Sequence, residues 1–174
     1  MVRKYDFDER QNISDEGTRT IINYLVRQDE TKEVKDVSHI EKYQKMDIDI
    51  IWYKKNGAER KIEVKIDEKM HRTGNFFLET ISNDVKNTPG CFLYSEADDF
   101  HYYDITNDRL YIFDLMEARV WFKKHIEEFR EIATSTTDVN GDAMYRTIGR
   151  LVPRDILIEN VKVEIISNIK ESSY

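Results

Sequence analysis

Two short runs hold the residues that could do chemistry in this chain. Asp47 and Asp49 flank Ile48 in MDIDIIWYK, and Glu63 and Lys65 flank Val64 in KIEVKID. Residues two apart on an extended chain point the same way, so each pair would share one face of a strand. Two carboxylates and an ammonium group at a sheet edge can bind Mg²⁺ through oxygen, lower the pKa of water at the ion and stabilise charge on a scissile phosphate. Hydrolysis of a phosphodiester needs those parts. The same residues, with Asp67, would also suit a solvated hairpin face whose ion pairs contribute little. The elements that position them therefore decide.

Ser14 can cap a helix with Asp15 and Glu16 in its first turn and Ile21, Ile22 and Leu25 on an apolar stripe, which predicts a helix from Asp15 to about Arg27. Glu33 to Ser38 reads as a short strand. In the two acidic runs Ile48, Ile50 and Trp52 share one face, as do Ile62, Val64 and Ile66, and Asn56-Gly57 between them signals a hairpin. A strict two-residue loop would pair Asp49 with Val64 and send the acidic sets to opposite faces, so a shared site requires an odd loop or a bulge. Phe76 to Ser82 reads as a third strand, and Thr88-Pro89 can open a short helix through Phe92 and Leu93. The strands FHYYDI and LYIF follow across the turn at Asn107-Asp108. Asp114 and Glu117 open a long helix burying Leu115, Ala118, Phe122, Ile126 and Phe129, Thr134 to Asp142 is loop-like, and VKVEII supplies a last strand.

Composition narrows the class. With 174 residues, 40% hydrophobic, the chain suits one domain spanning 1–174. A single cysteine, no apolar leader after Met1 and no long apolar run predict a cytoplasmic protein with no membrane partner. The net charge of −7 argues against non-specific coating of nucleic acid. Between Lys54 and Arg72, however, seven basic residues stand against four acidic ones, a local net of +3.

A strand bearing Asp, a turn and a strand bearing Glu-x-Lys resemble the PD-(D/E)XK nuclease superfamily, whose core is a helix, that hairpin, a further strand, a helix and a following strand. The order from Asp15 to about Ile105 follows this plan over roughly the first two-thirds of the chain. TGNFFLETIS and PGCFLYSEAD also look like segments of small phage and bacterial nucleases of this kind. The resemblance implies an α/β fold with a mixed central sheet flanked by helices, restriction-endonuclease-like. It implies Mg²⁺ or Mn²⁺ as cofactor, DNA as substrate, and Asp49, Glu63 and Lys65 as the catalytic set. Asp49 and Glu63 would hold the metal, Glu79 would add an acidic side chain, and Glu16 would correspond to the first-helix acid of Holliday-junction-resolvase-like members. No Pro precedes either Asp, so Asp47 and Asp49 both stand as ligands, with Asp49 favoured as nearer the strand's middle. A homodimer is one assembly this reading allows.

The remaining candidates are weaker. Glu33-Val34-Lys35 repeats the Glu-x-Lys spacing, but a helix rather than an Asp-bearing strand precedes it. His39, His71, His101 and His125 lack metal-ligand spacing, and Cys91 beside Phe92 reads as a small core residue. Trp52 and Trp121 lie on apolar stripes and read as core. Two rival functions stand beside the nuclease: a catalytically degenerate nuclease fold used as a DNA-binding or protein-interaction module, and an interaction protein unrelated to nucleic acid.

Overall fold

The computed structural model describes residues 7–137 and 142–170. Helix α1 spans Phe7–Val26, starting well before Ser14. The residues ahead of Ser14 include no Gly or Pro to stop a helix, so Ser14, Asp15 and Glu16 lie inside it and cap nothing. Strand β1 (Thr31–Asp36) follows, then the short helix α2 (Glu41–Gln44) and the hairpin β2 (Ile50–Lys54) and β3 (Glu59–Asp67). Next come α3 (Met70–Thr73), β4 (Asn75–Asn83), β5 (Thr88–Pro89) and α4 (Cys91–Tyr94). Strands β6 (Asp99–Asp104) and β7 (Arg109–Asp114) lead into α5 (Leu115–His125). The chain continues through β8 (Arg130–Thr137), β9 (Ala143–Pro153), α6 (Arg154–Asn160) and β10 (Val163–Ser167).

The result is an α/β fold with two sheets. One is mixed and six-stranded, in the order β1-β2-β3-β6-β7-β10, with β3 and β6 parallel and every other pair antiparallel. The other is antiparallel and four-stranded, in the order β5-β4-β9-β8. Ile21 and Leu25 of α1 pack on one face of the mixed sheet against Ile50, Ile62, Tyr103 and Leu110. On the opposite face Phe100, Tyr102, Tyr111 and Phe113 meet Phe76 and Leu78 of β4, Phe92 of α4 and Phe122 of α5. Phe76 and Tyr102 meet edge to face at 4.8 Å, the arrangement that ring quadrupoles favour. Helix α1 thus covers one face of the mixed sheet, whereas the other is covered by α4, α5 and a second sheet that the amino-acid pattern did not foretell.

Several elements differ from expectation for local reasons. Thr88–Pro89 does not open a helix: it pairs with Ile81 and Asn83 at the edge of the second sheet, where a proline with no N–H does no harm, and α4 starts after Gly90. Thr134 to Thr137 is strand rather than loop, paired with β9, while residues 138–141 of that expected loop lie outside the described residues. Ile48 packs with Val37 and Ile51 instead of sharing the Ile50 and Trp52 face, because the strand begins only at Ile50. Helix α5 does start at Asp114, whose carboxylate accepts the Glu117 N–H at 2.9 Å, but it ends at His125, short of Phe129. No helix among the described residues is long and apolar enough to cross a membrane.

The β2–β3 turn settles the register. Lys54 N–H donates to Ala58 O at 2.8 Å and Gly57 N–H to Lys54 O at 3.0 Å, enclosing the odd loop Lys55–Asn56–Gly57. Gly57 takes φ +87°, a region closed to most side chains. Ile50 therefore faces Ile62, where the ladder ends, and the same register carried one step further sets Asp49 beside Glu63. The acidic residues of both strands fall on one face, as a shared site requires.

Candidate metal centre

Strand β2 leaves β3 at Ile62, and the Asp49 carboxylate takes over as the neighbour of β3 by accepting the Val64 N–H at 2.9 Å. Beyond that point Glu63 and Lys65 project toward the second sheet, on the face of their neighbours Phe100 and Tyr102 in β6. Asp47 arrives from a turn in which it adopts φ +54°, a left-handed conformation that Asp tolerates better than most residues. Two bonds hold that turn against the α4–β6 connection: Ser95 Oγ–H donates to Asp47 O at 2.6 Å, and Glu96 N–H to Met46 O at 2.8 Å.

Cys91 comes from the other side. Gly90 lies against β4 so closely that a Cβ would stand 2.4 Å from the carbonyl group of Glu79, and its N–H donates to Thr80 O at 2.9 Å. That approach delivers the Cys91 side chain to the acidic residues. One carboxylate oxygen each of Asp47 and Glu63 and the Cys91 Sγ all lie within 4.8 Å of one another. Glu63 is only 6% exposed, and its Oε2, like Asp47 Oδ2, is buried without a hydrogen-bond partner. Such orphaned oxygens are costly.

Burial first, then Asp49, Asp47 and Glu79, push the Glu63 carboxyl well above the usual carboxylate range. Burial, with Asp49 and Glu79, likewise raises Asp47 to about 7. Asp49 is raised by burial but held back by the Val64 N–H and a hydrogen bond with Glu63. The Cys91 thiol is pushed up by burial and by the neighbouring Glu79 and Glu63. Burial is the largest influence on the Lys65 ammonium and works against it, yet Glu79, ion-paired with it, together with Cys91 and Asp67 more than offsets burial and keeps Lys65 charged. Lys65 is thus committed to Glu79 and offsets the other carboxylates only in part. A cation among Asp47, Glu63 and Cys91 would relieve the repulsion between these carboxylates.

These groups open onto a cleft of about 520 Å³ walled by Phe77, Ile132 and Leu151 of the second sheet and by Ile13 and Ser14 of α1. Comparison with protein-family models, with curated proteins and with solved structures gives no match. Geometry alone carries the reading of the site.

Of the residues singled out in the sequence, Asp47, Glu63, Lys65 and Glu79 line the cleft together. Asp49 stands directly behind them, its carboxylate engaged by Val64 and Glu63. Glu16 is exposed on α1 and does not line the cleft. Glu33 and Lys35 lie about half exposed on β1, paired with each other at 3.6 Å and remote from the site. Cys91 packs against the hydrophobic core, as its place beside Phe92 led one to expect, and what sequence reasoning missed is that its sulfur also lies beside Asp47 and Glu63. A lone cysteine has no spacing partner to mark it, and only the Gly before it, unexplained by any turn, signals a close approach.

Proposed function

We propose that this protein is a divalent-metal-dependent nuclease of the PD-(D/E)XK type, acting on DNA at the cleft between its two sheets. The observation that carries the reading is the convergence of Asp47 with Glu63, each with a buried, unpartnered carboxylate oxygen, beside Lys65 on the strand face that Glu63 shares. The succession α1, Asp-bearing segment, Glu-x-Lys strand, β4, α4 and β6 follows the order of that superfamily's core, with β4 displaced into a second sheet. Mg²⁺ or Mn²⁺ suits the two carboxylates taken by themselves, and Asp47 and Glu63 would hold it, with Asp49 orienting Glu63. When bound, such an ion supplies positive charge against the scissile phosphate and acidifies water. Glu79 keeps Lys65 protonated, so Lys65 serves as a fixed positive charge toward the phosphoryl oxygens rather than as a proton acceptor.

The test pairs cleavage with stability. Plasmid, single-stranded and branched DNA are incubated with the protein and Mg²⁺ or Mn²⁺, and melting is followed with and without the ion. An ion at about 100 times its dissociation constant should stabilise the fold by about 2.7 kcal/mol. Glu63→Gln should lose that increment and cleavage together. Lys65→Ala should lose cleavage while still binding metal, because an ammonium group is no ligand. Glu33→Gln and Lys35→Ala should change neither. If the ion leaves melting unmoved, or if the β1 changes matter as much as those on β3, the protein is a binding module on the same fold, a reading that the engagement of Lys65 by Glu79 already favours as second choice.

A further inference from the structure

Mg²⁺ prefers hard oxygen ligands and near-ideal octahedral geometry with several waters retained, whereas thiolate ligands draw Zn²⁺ and other thiophilic ions. The centre described above holds a sulfur atom. Cys91 Sγ lies within 4.8 Å of carboxylate oxygens of both Asp47 and Glu63. Two ligand atoms on one ion stand at most about 4.5 Å apart when one is sulfur at ~2.3 Å and the other oxygen at ~2.2 Å. The observed limit of 4.8 Å is a little wider than that, so the three side chains must draw together to share one ion. The chain contains no second cysteine, so Cys91 has no disulfide role within it. Independently of the sulfur, Glu63 is only 6% exposed and carries a buried oxygen with no hydrogen-bond partner. The Gly90 contact with β4 holds Cys91 there through backbone packing.

We propose that Cys91 is the third protein ligand of the centre, making it an O,O,S site that takes a thiophilic divalent ion such as Zn²⁺ or Co²⁺ in preference to Mg²⁺. This rests on the metal-binding half of the function proposed above and is independent of the substrate. On binding, the thiol gives up its proton to the buffer and the sulfur lone pair forms the bond to the ion; nothing is oxidised. A thiophilic ion in the Asp47, Glu63 and Cys91 set would displace Mg²⁺ and set which metal the cleft works with.

Titration of the full chain with Co²⁺ reads this directly, because a cobalt–thiolate bond produces an ultraviolet charge-transfer band that oxygen ligands do not. The band is expected in the unaltered protein, to be lost in Cys91→Ser and Cys91→Ala, and to be competed away by Zn²⁺. Loss of an outer-shell partner alone costs about 10–100-fold in affinity, so Cys91→Ser should weaken Co²⁺ and Zn²⁺ binding by at least about tenfold while moving Mg²⁺ binding far less. Zn²⁺ should also slow alkylation of Cys91 in the unaltered protein, a readout that needs no variant to fold. Co²⁺ binding without the band, or equal affinity in Cys91→Ser, overturns the sulfur ligand and leaves the nuclease proposal standing. A clear band from a protein that cleaves no nucleic acid supports the sulfur ligand and removes the nuclease. Absence of binding by every ion removes both.

Discussion

Replacing Asp47 by Asn should stabilise the metal-free protein. Asp47 is raised from 3.8 to about 7 by burial first and then by Asp49 and Glu79, against a smaller opposing influence of Lys65. A carboxyl with a raised folded-state pKa costs nothing below its unfolded value, destabilises the fold progressively as pH rises, and reaches its full cost above its folded value. For Asp47 that window runs from about pH 4 to about pH 7. A shift of roughly three units corresponds to about 4 kcal/mol at 1.36 kcal/mol per unit, and residual solvation and relaxation reduce this to about 2 kcal/mol. Asn preserves the shape, tolerates the left-handed φ of +54° and leaves the backbone bond from Ser95 intact. Urea unfolding in chelator at a series of pH values measures the difference. Near pH 4 the two proteins should match, and by pH 8 the Asn variant should be more stable by about 2 kcal/mol. Saturating Mn²⁺ should stabilise the unaltered protein far more than the variant. An Asn variant that is less stable at pH 8 in chelator, or one whose difference does not change with pH, would refute the account of Asp47 as a strained, cation-seeking carboxylate.

Glu79→Gln leaves the largely buried Lys65 without its counter-ion and should cost about 2–3 kcal/mol, of which Lys65→Met in the same chain should restore a substantial part; additive losses in the double-mutant cycle would show the pair to be uncoupled. His101, buried with Nδ1 unpartnered, is lowered to about 4 by burial, with Arg60 adding and Asp99 opposing. The fold holds it neutral, so stability should fall by up to about 3 kcal/mol as pH drops from 6.5 toward 4, and His101→Leu should flatten that slope in the same urea series; an unchanged slope would assign the acid sensitivity elsewhere.

The β2–β3 hairpin was legible because its apolar residues alternate and Asn56-Gly57 marks its turn, signals that act within a few residues. The same local information placed Glu63 and Lys65 on one face. It favoured Asp49 as nearer the strand's middle and gave no hint that the left-handed turn at Asp47 and the hold of Ser95, a residue distant in sequence, bring Asp47 into the cleft. Strand β8 was hidden for a different reason. Its inner residues Ser135, Thr136 and Thr137 are buried yet polar, so their composition reads as loop, and only pairing with β9 makes them strand. The nearness of Cys91 to Asp47 and Glu63 was invisible because close packing of Gly90 on β4, rather than any spacing, brings it in.

The order in which the cleft can be built follows from the strand order β5-β4-β9-β8. Asp47, Glu63 and Cys91 all precede β6, so the acidic and sulfur groups are present in a half-synthesised chain. The wall opposite them is not. Strand β4 has only the two-residue β5 as partner until β9, which begins at Ala143, inserts beside it and carries β8 on its far side. Pairings across such long sequence separations form late, since the intervening chain must be ordered first. A growing polypeptide therefore carries Asp47, Glu63 and Cys91 before the far wall of the cleft is in place, and their enclosure is complete only when β9 has been made.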